Sequence, residues 1–201
     1  MKKGLVSIAD KIQELSHSMG GVFSYGDLCN IIATLSPLKD IRIINRMIQE
    51  GVLFKIKRGF YATKAPDLWV LASRLREGCA VTMDSVLAKN GLVGTLLARS
   101  VSAISPGGKK KTVQTPSGII RYFSINPDLF FGIQKMKNGV QAVDNEKAYL
   151  DLLYYYVKGA RFVFDPKNEV DLGKLDTKKM KKYLNLYRNK KFVTFVKGLI
   201  R

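Results

Sequence analysis

The chain has 201 residues, 46% of them hydrophobic, which is enough for one large domain or two small ones with a buried core. Its 34 lysines and arginines outnumber 16 acidic residues and give a formal net charge of +18 at pH 7. An excess of this size favours a polyanionic partner, with nucleic acid ahead of an anionic lipid surface or an acidic protein.

The sequence also argues against a membrane segment and a secreted disulfide scaffold. The apolar runs are shorter than the roughly 20 residues that a bilayer-spanning helix needs. Charges at Asp10, Lys11 and Glu14 interrupt the stretch after the basic N-terminus, so we predict no signal peptide. Cys29 and Cys79 lie far apart and form neither a disulfide framework nor a CxxC metal site. A cytoplasmic location is expected.

The first 50 residues have the pattern of three helices. Apolar side chains recur at helical spacing in the first of them, at Leu5, Ile8, Ile12 and Leu15. Gly20 and Gly21 should end this helix, and Ser24 should cap the second, with Asp27 at the capping-box position. Pro37 breaks the second helix, and a third should extend over 38–50 before Gly51.

A strand-like pattern follows the third helix. Residues 52–56 alternate as a half-buried strand does, 57–59 supply a turn, and 60–63 form the returning strand. Three helices and a hairpin in this order predict a winged helix-turn-helix over 1–64.

The remainder, 65–201, mixes helical and strand patterns and predicts an α+β domain. Helices are expected at 66–76, 83–89 and 145–157, with strands at 99–104 and 119–125. A loop at 106–111 and a turn at 116–118 separate the two strands.

The last stretch, 174–201, is predicted to form a basic helix. It holds ten basic residues and a single acid, Asp176. An apolar stripe at helical spacing would dock the helix and leave a cationic surface outside; its members are Met180, Tyr183, Leu184 and Tyr187. The fold class is therefore α+β, with an N-terminal winged helix-turn-helix and a mixed α+β domain that ends in a basic helix.

The third helix of a helix-turn-helix enters the major groove and presents its outward side chains to base edges. Its predicted inward face comprises Ile41, Ile44, Met47 and Ile48. The outward stripe comprises Arg42, Asn45, Arg46 and Gln49. Arginine pairs bidentately with guanine, and asparagine or glutamine with adenine, so these four residues are the predicted base-reading set.

Other basic residues are expected to contact phosphates. The predicted wing and backbone contacts are Lys2, Lys3, Lys39, Lys55, Lys57 and Arg58. A second basic surface is predicted on the C-terminal domain, from Lys109, Lys110, Lys111, Lys178, Lys179, Lys181, Lys182 and Arg188.

No catalytic or cofactor-binding pattern stands out. His17 lacks a placed nucleophile, and the Gly107–Lys110 segment lacks the spacing of a nucleotide phosphate-binding loop. The acids Asp165, Glu169 and Asp171 could form a divalent-metal site. They lie, however, in a stretch with Pro166 and Gly173, where acids commonly cap turns and helices. We predict no enzyme, metal or cofactor, and keep a metal-dependent nucleic-acid enzyme as an alternative.

Two segments resemble the AbiEi-type antitoxins. Residues 51–61, GVLFKIKRGFY, resemble the "G-x-L … R-G-x-Y" wing of that family, and 143–153, VDNEKAYLDLL, resemble its "A-x-x-E-K-A-L-L-D-L-L" helix. The chain departs from the family pattern at Tyr149, where leucine is usual, and at Asp144, where a small residue often precedes the helix. The order of elements between the two segments is also similar.

The resemblance implies the antitoxin of a bacterial type IV toxin–antitoxin or abortive-infection pair. Such a protein represses its own promoter through the winged helix and neutralises a nucleotidyltransferase-like toxin encoded beside it. We accordingly expect a monomer that binds double-stranded DNA, with protomers on repeated sites cooperating. Besides the antitoxin and the metal-dependent enzyme, a third hypothesis is a protein-interaction module in which the winged helix has only a structural role.

Overall fold

The computed structural model describes residues 3–34, 36–94 and 99–200. The fold is mixed α+β, as the sequence predicts. The described residues form eight α-helices and two β-sheets, one of three strands and one of six.

The N-terminal elements form a helical unit closed by a small antiparallel sheet of order β1-β3-β2. Its elements are α1 (Lys3–Met19), β1 (Val22–Ser24), α2 (Tyr25–Ile32), α3 (Pro37–Gln49), β2 (Phe54–Lys57) and β3 (Phe60–Ala62). The strand β1 was not predicted. It pairs with β3, which lies far along the chain, so its three residues carry no local signal of their own.

Local signals fix most boundaries of this unit. The capping box is confirmed, because Ser24 Oγ accepts from Asp27 N and the Asp27 carboxylate accepts from Ser24 N. Gly20 and Gly21 end α1 with φ values of +62° and +67°. Pro37 occupies the first turn of α3, where the missing N–H costs no intrahelical bond.

One hydrophobic cluster holds the N-terminal unit together. Its fully buried members come from all three helices and the sheet: Ile12, Phe23, Leu28, Ile44, Met47 and Leu53. The predicted inward placement of Leu15 on α1 is wrong, since this side chain is 40% exposed.

The rest of the chain folds around a mixed six-stranded sheet of order β6-β7-β5-β4-β9-β8. Pairs β5·β7 and β4·β9 are parallel and the others antiparallel. The elements are α4 (Leu68–Leu75), β4 (Ala80–Val81), α5 (Asp84–Lys89), β5 (Ser100–Pro106), β6 (Lys111–Thr115), β7 (Gly118–Ile125), β8 (Ile133–Lys135), β9 (Gln141–Val143), α6 (Asn145–Val157), α7 (Thr177–Leu184) and α8 (Lys190–Leu199).

Helix α6 is the centre of the second core. Asp144 caps it by accepting from Lys147 N at 2.8 Å, and the helix begins at the next residue. Side chains on almost every side of the helix are buried, including Tyr149, Leu150, Leu152 and Leu153. A helix buried all round has its partners on several sides, and here they include α5, α7 and α8.

The C-terminal basic segment differs from the prediction. Two helices, α7 and α8, replace the single one, because Asn189 accepts from Phe192 N and starts a new helix. Met180, Leu184 and Tyr187 are buried, as the apolar stripe predicts. Arg188 lies in the connection between the two helices rather than on a helix face.

The two cores meet where α4 packs on the N-terminal unit. Val22 of β1 belongs to the second cluster, and Arg74 of α4 donates to both Val22 O and the Asp27 carboxylate. A Cβ on Gly20 would lie 2.7 Å from Cγ2 of Val70 on α4. The α1–β1 turn thus approaches α4 more closely than any side chain would allow.

We expect Gly20→Ala to destabilise the protein more than Gly51→Ala. Both glycines have positive φ, so each alanine carries a backbone penalty of about 1 kcal/mol. Only Gly20 also meets a neighbour, and overpacking there should cost roughly a further 1 to 3 kcal/mol. Urea denaturation of both variants measures the difference. Equal losses would mean that α4 does not pack against the turn.

No helix among the described residues is both long enough and apolar enough to cross a bilayer.

Candidate nucleic-acid interface

The outward face of α3 presents the four predicted base-reading side chains to solvent. Arg42, Asn45, Arg46 and Gln49 are all exposed, while Ile44 and Met47 are buried on the opposite side. The helix is strongly amphipathic because its apolar side chains recur every three or four residues. The same packing that holds α3 in the core therefore fixes which side chains face outward.

The four side chains differ in whether they bind another side chain of the protein. Arg46 forms an ion pair with Glu50 one turn later, with 2.8 Å between Nη2 and Oε1. An exposed pair of this kind contributes only about 0.3 to 0.5 kcal/mol, so a stronger acceptor would displace it. Arg42, Asn45 and Gln49 make no side-chain hydrogen bond within the described ranges of the chain.

The N-terminal end of α3 corrects the predicted inward face. Ile41 is 45% exposed, and Leu38 one turn before Arg42 is 71% exposed. Asp40 takes the inward position instead, where its carboxylate accepts a hydrogen bond from Thr34 Oγ1. The outward face of α3 is therefore apolar at its start and polar along the rest.

The β2–β3 hairpin exposes all three of its basic side chains, Lys55, Lys57 and Arg58. Gly59 adopts φ +77° at the turn. The turn is held against α2, because Tyr25 N donates to Gly59 O at 2.8 Å. Arg58 thus lies at the tip of a hairpin that is hydrogen-bonded to α2.

Lys57 is exposed but also makes two contacts within the chain. Its Nζ donates to Leu75 O, at the last turn of α4, at 2.7 Å and lies 4.6 Å from the centre of the Phe60 ring. A lysine at a helix C-terminus stabilises the exposed carbonyls there. Lys57 therefore connects the hairpin to α4, and a phosphate would have to compete with that contact.

The remaining predicted backbone contacts lie at the N-terminus and on α3. Lys39 is exposed on the first turn of α3, beside Leu38. Lys2 lies outside the described residues. Lys3 begins α1, and its side chain is also outside what the structure describes.

The predicted second basic surface is divided between two places in the fold. Lys109 and Lys110 lie in the connection between β5 and β6, with Lys111 at the start of β6, and all three are exposed. On α7 the exposed lysines are Lys178, Lys181 and Lys182. Arg188 is exposed and pairs with Asp128 at 3.2 Å.

Lys179, the remaining lysine of this set on α7, forms ion pairs with two carboxylates of the neighbouring helix start. Its Nζ lies 2.8 Å from the Glu146 carboxylate and 3.2 Å from that of Asp144, at the start of α6. Burial alone would raise the pKa of Glu146, but hydrogen bonds from Lys179 and from Asp176 N outweigh it, and the pKa lies below its ordinary value. A carboxyl with a lowered pKa stabilises the folded state above its ordinary pKa and loses that effect on acidification. This cluster fastens α7 to α6.

Sequence reasoning missed a buried ion pair inside α6. Lys147 and Asp151 are both 0% exposed and bind each other one turn apart. Thr82 Oγ1 donates to the other Asp151 oxygen at 2.8 Å, and the Phe131 ring centre lies 4.8 Å from Lys147 Nζ. The available signal was a lysine and an aspartate at i and i+4 among apolar neighbours, a spacing usually assigned to a solvated face.

The acids considered as metal ligands serve as turn caps. Asp165 accepts from Lys167 N and Asn168 Nδ2, while Glu169 accepts from Asp165 N. Asp171 accepts from Gly173 N. Across 3–34, 36–94 and 99–200, no three His, Cys, Asp or Glu side chains converge in a way that could hold a metal ion.

Cys79 lacks the environment of an activated thiol. Cys79 is buried, and burial raises the pKa of its thiol to about 11. Its Sγ donates to Ala72 O within the core. Cys29 is half-buried on α2. Cys79 is thus a small core side chain, as thiols in apolar surroundings usually are.

Comparison with known proteins adds a fold similarity. No protein-family model matches the sequence, and no curated protein matches it. Among solved structures, the chain is similar to the crystal structure of the RV2827C protein from Mycobacterium tuberculosis, with a TM-score of 0.58 and 12% sequence identity. The similarity covers 90% of this chain and 71% of that one. At this level of identity it concerns the fold alone.

Proposed function

We propose that residues 3–62 form a winged helix in which α3 is the recognition helix and the β2–β3 hairpin is the wing. The order of three helices and a hairpin supports this, as does the short strand β1 that completes the sheet. In such a module the recognition helix lies in the major groove while the wing follows the neighbouring backbone. The chain then acts as a sequence-specific, double-stranded-DNA-binding transcriptional regulator in the cytoplasm.

The observation that carries the proposal is the outward face of α3. A helix held in place by Ile44 and Met47 offers Arg42, Asn45 and Gln49 to solvent without intramolecular partners in the described structure. These are the side-chain types that pair with guanine and adenine edges. Arg58 at the hairpin tip and the net charge of +18 add attraction for phosphates.

The antitoxin role is proposed from the resemblance to AbiEi-type proteins. In this proposal the chain represses its own promoter, and the domain built around α6 neutralises a nucleotidyltransferase-like toxin encoded nearby. The segment that resembles the family helix, 143–153, contains the buried Lys147–Asp151 pair. Its first residues also carry the carboxylates that fasten α7. The motif thus organises the domain to which the neutralising role is assigned, and no catalytic residue or cofactor is invoked.

The wing assignment predicts a change in the salt dependence of DNA binding. Arg58→Ala should reduce the slope of log K against log salt concentration by about one, because one phosphate contact is lost. The matched control is Lys57→Ala on the same hairpin, which should change the slope less since Lys57 is bound to Leu75 O. Fluorescence anisotropy with duplexes from upstream of the coding sequence measures both. An unchanged slope in Arg58→Ala would contradict the wing assignment.

The toxin partnership is tested separately by growth. Co-expression of the chain with the neighbouring nucleotidyltransferase-like reading frame should restore growth that the toxin alone arrests. A variant of the α3 face, Asn45→Ala, should neutralise as well as the wild type, since α3 lies outside the domain assigned to neutralisation. Continued growth arrest with the wild-type chain present would remove the antitoxin part of the proposal and leave the DNA-binding part in place.

A further inference from the structure

The first turn of α3 exposes two large aliphatic side chains. Leu38 is 71% exposed and Ile41 is 45% exposed. Single exposed apolar residues are common on proteins and need no explanation. These two are adjacent, however, and they lie on the element that the proposed function places in the major groove.

Leu38 and Ile41 lie on the same side of α3 as the side chains proposed to contact the DNA bases. Leu38, Arg42, Asn45 and Gln49 follow at i, i+4, i+7 and i+11, so they form one line along the helix. Ile41 lies beside this line and one turn before Asn45. The exposed aliphatic pair is thus the N-terminal continuation of the polar face, and the N-terminal residues of a recognition helix are those that contact base edges.

The charges around the pair suit a polyanion. Lys39 and Arg42 are exposed next to it. Asp40, the acid in this turn, is buried and accepts from Thr34, so its carboxylate does not face outward. An apolar patch flanked by Lys39 and Arg42, with the Asp40 carboxylate turned inward, is suited to the edge of a groove lined by phosphates.

The major groove offers one apolar group at a base edge, the C5-methyl group of thymine. We propose that Leu38 and Ile41 contact thymine methyl groups beside the adenine that Asn45 pairs with. The inference rests on the proposed function and adds to it: the half-site contains thymine within reach of the α3 N-terminus, and the methyl groups themselves are recognised.

Replacing thymine by deoxyuracil removes only the methyl group and therefore isolates this contact. The probe is the protected duplex from upstream of the coding sequence, prepared with deoxyuracil at each thymine in turn. Wild-type affinity should fall about three- to fivefold for each contacted methyl, as expected for one apolar carbon returned to water. Substitution outside the protected segment is the DNA control.

Variants of the protein complete the test. Leu38→Ala and Ile41→Ala should bind the thymine duplex more weakly and no longer distinguish it from the deoxyuracil duplex. The matched control is Leu186→Ala, an exposed leucine outside α3, which should keep the discrimination. Since Leu38 is largely exposed, its truncation leaves the core intact, and an unchanged denaturation midpoint verifies this.

Three results would overturn the inference. Equal wild-type affinity for both duplexes, with preference over scrambled DNA retained, rejects methyl recognition and leaves the proposed function standing. No preference for any upstream duplex over scrambled DNA removes the proposed function and the inference together. A dimer in sedimentation that Leu38→Ala converts to monomer would show that a second copy of the chain covers this face.

Discussion

Replacing Lys147 with methionine should lower the free energy of unfolding by about 3 to 5 kcal/mol, the cost of leaving a buried charge without its partner. The Asp151 carboxylate would remain fully enclosed and would keep only the Thr82 hydroxyl as a donor in the described structure. The loss should exceed that of any surface substitution because no solvent reaches the site. Urea denaturation followed by circular dichroism measures it.

The double variant Lys147→Met with Asp151→Leu separates the ion pair from side-chain volume. Apolar residues of similar size can replace a buried pair at little net cost. The double variant should therefore recover most of the loss, short of about 1 kcal/mol for the Thr82 hydroxyl that loses its acceptor. A single variant as stable as the wild type would show that the pair is not closed off from water.

Replacing Asn45 with alanine should weaken binding to the operator by about 1 to 3 kcal/mol while binding to random duplexes stays unchanged. Asparagine carries no charge, so its loss removes base recognition without altering the attraction for phosphates. Arg42→Ala should lose a similar amount of specific binding and also a little affinity for every duplex. Competition titrations with operator and scrambled DNA measure both components.

The matched control lies on α7. Lys178→Ala with Lys182→Ala removes two exposed charges away from α3 and should weaken binding about equally on all sequences, if at all. Lys179 is unsuitable for this control because it is bound to Glu146 and Asp144 and its loss would disturb the fold. If Asn45→Ala keeps the full preference for operator DNA, the assignment of α3 as recognition helix is wrong.

Elements defined by their own neighbours in sequence were the predictable ones. The Ser24 capping box, the glycine stop of α1, Pro37 at the start of α3 and the hairpin turn at Gly59 depend on interactions within a few residues. Sequence patterns report such interactions directly. The amphipathic faces of α3 and α7 were predictable in outline for the same reason.

Two very short strands that depend on distant partners were missed. Strand β1 has three residues and exists because β3 pairs with it, and β4 has two residues held between β5 and β9. Neither is long enough to show an alternating pattern. The break between α7 and α8 did have a local signal, the cap at Asn189, which the continuous basic composition concealed.

The sequence predicted which residues of the candidate site are exposed better than it predicted the contacts that they make. The exposure of Arg42, Asn45 and Gln49 follows from helical periodicity. The same periodicity assigned Ile41 to the core, but Asp40 and Ile44 are the buried residues of this turn and Ile41 is 45% exposed. The partners of Lys57 and Lys179 lie far along the chain, so composition and spacing do not encode them.

The most direct test of DNA recognition by α3 is a footprint of the purified protein on the DNA upstream of its own gene, recorded across a salt series. Specific binding should leave a protected site that persists as salt rises from about 50 to 200 mM, while non-specific protection disappears. Asn45→Ala should lose that site at the same concentration of protein. Diffuse protection that disappears uniformly with salt, and is the same for both proteins, would contradict the account.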